Sequence, residues 1–227
     1  MAQVITNNKG KLYLLLGLSL ITQATTSLLG GIIGVGPFTE TNDPAAAMNY
    51  IAENISSVYA GIFLQIVTAL VIIVLASALY QAGSRVSKTA AIIAFGFYLT
   101  EAITHFIGQV LIFVIAETAI QFQSTGDITM LTTAKLLFTS RDFVGAITMI
   151  PFGLGAIIFY SLITKAKVIP KWLGLWGMVT VSLILAGWSL EAFSIVPVPF
   201  ALYVPYVPWE WVAGIYIFIK GIKTVRQ

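Results

Sequence analysis

The chain has 227 residues, 58% of them hydrophobic and only 9% charged, with a formal net charge of +3 and a mean hydropathy of +0.94. A soluble domain carries roughly 25% charged residues, so a soluble globular fold is excluded. With ~20 apolar residues needed per crossing, the length allows roughly five to seven membrane helices in a single membrane domain, residues 1–227.

The absence of Cys and the single His, His105, exclude disulfides, thiolate metal sites and multi-histidine centres. No metal and no cofactor is read from the chain. The cations flank apolar runs, where they orient a membrane protein, so no nucleic-acid partner is read from the basic balance; the partner is the lipid bilayer. Oligomeric state has no signal here.

Apolar runs at about 12–34, 57–82, 89–116, 137–164, 172–195 and 208–225 predict an all-α bundle of six transmembrane helices. Continuous apolarity in lipid leaves the backbone no partner outside a helix, and the alternation of barrel strands is missing. The first run, within KGKLYLLLGLSLITQATTS, also has the composition of a secretory signal. Apolar residues resume from Leu28 to Val35, which favours a retained span over a cleaved one. Gln23 is its polar member.

In the loop that follows, Asp43 before Pro44 predicts an N-cap and a short helix over about 44–54, lying on the outer membrane surface. Asn54-Ile55-Ser56 matches a glycosylation sequon, a pattern common by chance. The second span brings Gln65.

The third span carries the sharpest candidate. Counted from Thr89 at ~1.5 Å per residue, Glu101 lies ~18 Å into a core ~30 Å thick. A carboxyl at that depth needs a partner, a proton or a wet cavity. Tyr98, Glu101, His105 and Gln109 share one helix face at three- and four-residue steps, a polar stripe that can relay protons or line a pore. The same stripe also reads as a hydrogen-bonded seam between helices.

The fourth span contains Arg141 and Asp142. Adjacent residues point ~100° apart, so different neighbours are expected for the two, with Arg141 pairing with Glu101 or Glu191 or snorkelling outward. Pro151 frees the carbonyl of Ile147 and predicts a kink or hinge. Glu191 falls near the outer end of the fifth span.

The segment IVPVPFALYVPYVP then has four prolines and no charge, so it is expected to rest at the interface or dip into it. Glu210 opens the sixth span. Both Glu191 and Glu210 also read as rim charges at helix ends. Gly30 with Gly34, Gly153 with Gly155, Gly174 with Gly177, and Gly214 read as packing devices.

Lys9, Lys11, Arg85, Lys88, Lys165, Lys167, Lys171, Lys220, Lys223 and Arg226 fall on alternating connections, while Glu40, Asp43, Glu53 and Asp127 occupy the opposite ones. The positive-inside rule then places both termini in the cytoplasm of a multi-pass plasma-membrane protein. Trp172 and Trp176 are assigned to the inner aromatic belt, Trp209 and Trp211 to the outer. Arg141 set against Glu101, Asp142, Glu191 and Glu210 predicts an outward-opening acidic cavity selective for cations or protons.

Enzyme motifs are missing. There is no nucleophile turn, no H-E-x-x-H, no phosphate loop and no mid-span lysine for a Schiff base. Chemistry on a lipid-like substrate with Glu101 and Asp142 ranks last among the readings, and no catalytic residue is assigned.

The chain resembles a bacterial membrane family known as a domain of unknown function, DUF4386. The likeness rests on KLYLLLGLSL at 11–20, Glu101 after GFYLT, PFGLGAIIFYSL from Pro151, IPKWLGLWGM at 169–178 and PWEWVAGIYIFIKGIK at 208–223. The resemblance implies a multispanning membrane protein and carries over no catalytic residues. Family members carry an Arg one turn before the third-span acid. Here Phe97 and Tyr98 stand in that region, which turns attention to Arg141 as the partner of Glu101.

The leading functional expectation is a small transporter or permeation protein for a proton, a cation or a small cationic solute. The alternative is a non-catalytic binding, sensing or assembly subunit.

Overall fold

The computed structural model describes residues 2–35, 43–193 and 204–226, with side chains described from Asn7 onward except those of Val35 and Glu191. Among the described residues there are seven α-helices and no strand: α1 (Ala2–Gly30, continued by a π-helical turn, Gly31–Val35), α2 (Pro44–Glu53), α3 (Ile55–Gly83), α4 (Lys88–Thr125), α5 (Thr129–Lys165), α6 (Lys171–Ala192) and α7 (Val207–Val225). Five of them, α1 and α3 to α6, are long and apolar enough to cross a membrane. α7 has 19 residues and carries Glu210, Lys220 and Lys223.

The polarity of the bundle is inverted relative to a soluble protein. On α4, Ile103, Ile107 and Val110 are 60%, 48% and 62% exposed, while Tyr98, Glu101 and Gln109 are buried. An outer face of this kind suits lipid, where side-chain apolarity is not penalised and the helical backbone is internally satisfied.

Helices pack in the order α7, α1, α3, α4, α5, α6, with smaller contact between α6 and α7 closing the arrangement. α1 and α7 run antiparallel at backbone distance. Gly10 and Gly17 on α1 meet Gly221 and Gly214 on α7, each pair seven residues apart so that both glycines of a helix face its partner. A Cβ on Gly17 would stand 2.6 Å from the Phe218 nitrogen, and one on Gly221 would stand 2.8 Å from that of Leu14. α1 then meets α3 through Gly34 and Gly61, where a Cβ on Gly34 would be 2.9 Å from the Gly61 Cα.

α4 and α5 contain 38 and 37 residues. At ~1.5 Å per residue each is about 55 Å long, well beyond a ~30 Å hydrocarbon core. Both helices continue past the apolar runs at 89–116 and 137–164, and a turn at 126–128 joins them. Gly126, at φ 65, closes α4 in the left-handed conformation glycine tolerates best. Asp127 accepts from the Thr129 N–H at 2.9 Å and from its hydroxyl at 2.7 Å. These hydrogen bonds hold the exposed Asp127 carboxyl below its ordinary pKa.

The extension has its own core. Met48 and Ile51 of α2 pack with Ile112, Ile115, Ala116, Ala119 and Ala134. α2 therefore lies on the ends of α4 and α5, its apolar residues covering a helical hairpin. Its start is capped by Asp43, whose carboxylate accepts from the Ala45 N–H at 2.9 Å.

The beginning of α7 also departs from expectation. Trp176 donates its indole N–H to the Pro205 carbonyl at 3.0 Å, and Trp209 donates to the Leu173 carbonyl at 2.7 Å. Leu173 and Trp176 lie in the first turns of α6, whereas Phe193 follows its last turn, roughly 25 Å along the helix from Trp176. α7 thus starts beside the beginning of α6, deep in the bundle. The prolines between 195 and 203 lie outside the described residues.

Cations gather at the other end of α7. Lys9 and Lys220 lie over the Tyr13 ring, 5.8 and 5.5 Å from its centroid, and Arg85 is within electrostatic range of the same tyrosine.

Candidate functional site

Where α1, α4, α5 and α7 converge, the bundle encloses a polar centre. α7 contributes Glu210 in its first turn, where the positive end of the helix dipole favours an acid. The Glu210 carboxyl oxygen Oε1 accepts from the Gln23 amide of α1 at 3.3 Å and from the Tyr206 hydroxyl at 3.0 Å. Tyr206 shares a second hydrogen bond, 2.8 Å, with the Tyr160 hydroxyl of α5. Tyr160 in turn interacts with Tyr98 of α4.

Aromatic rings wall this chain. Tyr160 and Trp209 have ring centroids 4.1 Å apart, Tyr98 and Phe159 5.2 Å, and Phe152 and Tyr206 5.6 Å. Trp209 fits a slot left by Gly177: a Cβ there would sit 2.5 Å from the indole. Its N–H is satisfied by Leu173, which is how a buried indole avoids an orphan donor.

Glu101, one turn beyond Tyr98, lies within electrostatic range of Glu210. It is 4% exposed and Glu210 is 9% exposed. Its Oε2 has no hydrogen-bond partner among the described residues. The ion pair among the described residues is elsewhere, so neither buried acid has a Lys or Arg beside it.

The predicted stripe on α4 divides in two. Tyr98 and Glu101 join the centre, whereas His105 turns to α3 and hydrogen-bonds Gln65 at 2.9 Å. Gln65 donates onward to the Ser27 carbonyl of α1 at 3.1 Å. Gln109 is buried, with an amide oxygen that finds no partner among the described residues.

Two expectations, for Arg141 and for Trp209, are corrected. Arg141 pairs with its neighbour Asp142 through both Nε and Nη2, and Asp142 is 62% exposed. Rotation about long side-chain bonds overcomes the ~100° between adjacent positions, while Nη1 stays buried with no hydrogen-bond partner among the described residues. Of the four acids, Glu101 and Glu210 are enclosed, with Tyr206 hydrogen-bonded to Glu210 and Tyr160 and Trp209 packed beside it. Trp209 is fully buried, which removes it from any lipid-facing belt, and Trp211 is half-buried, donating to the Thr25 hydroxyl at 3.1 Å.

Pro151 is buried within an uninterrupted α5. The Glu191 side chain lies outside the described residues.

Sequence reasoning missed Tyr160, Tyr206 and Trp209. Tyr160 sits in an ordinary apolar run and Tyr206 in the proline segment, so no spacing marked them. The pairing of two W-containing motifs, IPKWLGLWGM and PWEWVAGIYIFIKGIK, was the available signal: Trp209 of the second fills the Gly177 slot of the first.

Residues 15–221 match DUF4386, a domain of unknown function, and the chain belongs to that family. Among curated proteins and solved structures nothing matches.

Proposed function

We propose that this DUF4386 protein binds a proton or a small cation at the enclosed Glu101–Glu210 centre and moves it across a membrane. The observation that carries the reading is that two buried acids from different helices lie within electrostatic range of each other with no Lys or Arg beside either one among the described residues. A buried carboxyl pair lacking a counter-charge is compensated most cheaply by a proton or a cation taken from outside. The hydroxyls of Tyr98, Tyr160 and Tyr206 extend the centre through α4 and α5 and supply further oxygen ligands or relay positions.

The accompanying topology is a single domain with six spans, both termini cytoplasmic, in a plasma membrane. α7 as the sixth span is supported by its antiparallel course along α1 from the level of Gln23 to that of Gly10. The gathering of Lys9, Arg85, Lys167 and Lys220 at one end supports that end as the cytoplasmic one. Cysteines placed singly at residues 8 and 127, labelled from one side of intact cells, test this topology.

The functional test is flux in liposomes. Purified protein with an imposed cation or pH gradient is expected to dissipate it, and Glu101→Gln and Glu210→Gln are expected to abolish that activity while keeping the fold. Flux unchanged in both variants would refute the proposal. The second reading, a hydrogen-bonded seam in a binding or assembly subunit, is favoured by the paired His105–Gln65 and Gln23–Glu210 contacts. It predicts lower thermal stability in the variants and no flux in any of them.

A further inference from the structure

At the cation-rich end, the junction of α5 with α6 folds into a cleft against α7. It is lined by Thr164, Lys165, Lys167, Ile169, Lys171 and Tyr216, with a cavity of about 320 Å³. Lys165, Lys167 and Lys171 are all exposed, and none is paired with a carboxylate among the described residues.

The backbone at this junction is built in an unusual way for its sequence. The Lys167 N–H bonds the Thr164 carbonyl at 3.0 Å and the Val168 N–H bonds that of Ile163 at 2.8 Å, the paired closure of a Schellman motif. The residue at the left-handed position of that motif is normally Gly. Here it is Lys167, at φ 57, the positive-φ non-glycine residue among the described ones. A lysine held where glycine is cheaper is an outlier at a cavity rim, the kind of site where strain is coupled to function.

Lys220 has a different task. Its ammonium donates to the carbonyls of Lys167 at 2.5 Å and Val168 at 3.0 Å, closing the carboxyl end of α5 and fixing the junction to α7. Three ammonium groups remain to face the cleft. The first turn of α6 begins at Lys171 and Pro170 on its wall, so backbone N–H groups at the positive end of a 22-residue helix adjoin the same space.

We propose that this cleft is a binding site for a phosphate-bearing anion, held by Lys165, Lys167 and Lys171 with the amino end of α6. The two natural sources of that chemistry are the headgroup of an anionic phospholipid and a soluble phosphate. The site is independent of the Glu101–Glu210 centre, and its success or failure leaves that reading untouched.

The test uses the full chain in a neutral detergent, following its thermal midpoint during separate titrations. The additives are sodium phosphate, short-chain phosphatidylglycerol and short-chain phosphatidylcholine, each against sodium chloride at matched ionic strength. A saturable rise with phosphatidylglycerol alone assigns the lipid headgroup, and a rise with inorganic phosphate assigns the soluble anion. Lys165→Gln, Lys167→Gly and Lys171→Gln are each expected to weaken the response about fivefold, the change typical for one lysine near an anionic group. All three side chains are exposed, and Lys167→Gly relieves the left-handed backbone, so the unliganded midpoint should hold. The proposal is overturned if phosphate and phosphatidylglycerol act no differently from chloride, if phosphatidylcholine acts equally, or if the lysine variants retain the full response.

Discussion

The close approach of α1 and α7 makes a sharp prediction at Gly17. An added Cβ would stand 2.6 Å from the Phe218 nitrogen, 2.7 Å from the Gly214 oxygen and 2.8 Å from the Phe218 Cα. That is roughly 0.8 Å inside the ~3.5 Å separation ordinary for non-bonded heavy atoms. All three atoms are backbone, so no side chain can swing away and the helices themselves must part. Overpacking of this kind costs about 1–3 kcal/mol, against a gain of up to ~1 kcal/mol from the better helix propensity of Ala. Gly17→Ala should therefore destabilise the fold by about 1–2 kcal/mol. Parting α1 from α7 also stretches the 3.3 Å Gln23–Glu210 bond, so loss of stability should come with loss of whatever the acid centre does. Gly96 is the control. It is also helical, and a Cβ there meets nothing within 4 Å. Gly96→Ala should be neutral or stabilising by up to about 1 kcal/mol. The measurement is the thermal midpoint of the purified full chain in detergent. Midpoints of the two variants moving in the same direction would refute the backbone-contact argument.

Three further outcomes are expected. Glu210→Ala orphans the Gln23 and Tyr206 donors at about 1–3 kcal/mol each, whereas Glu210→Gln keeps an acceptor oxygen and should cost much less; chemical denaturation of the pair in one detergent compares them. Trp209→Phe empties part of the Gly177 slot and gives up the indole hydrogen bond to the Leu173 carbonyl, a loss of about 2 kcal/mol, while Trp172→Phe at a 58% exposed position should shift the midpoint little. The Asp127 contribution follows from its depressed pKa: it is present above the ordinary Asp value of 3.8 and lost as pH falls through the lower folded value. The gap in thermal midpoint between wild type and Asp127→Asn should accordingly close on acidification and stay constant from pH 5 to 7, an estimate of the plateau from Asp values of about 3.9.

The apolar helices, the helical class and the presence of an acid within α4 were legible because each depends on local composition. Lipid forbids unsatisfied backbone, so long apolar runs have one outcome whatever their neighbours. The Asp43 cap reads the same way, since a cap is made within one turn. Glycines were legible only as small residues. That Gly17 faces Gly214 and Phe218, or Gly177 faces Trp209, depends on the rotation and height of two helices far apart in the chain.

Sequence by itself thus determined the solvent this protein folds in, the helices it folds into and the acids and tyrosines available to it. Tertiary structure decided which of them meet. It buried Glu101 with Glu210, turned His105 toward Gln65, let Arg141 settle on Asp142, and sank the start of α7 to the level of Leu173. The physical reason is that polarity and helical period act over a few residues, whereas partner choice is set by which backbones can approach. Approach in this bundle is governed by glycine contacts between helices that the chain separates by up to about two hundred residues, a span over which no local pattern carries information.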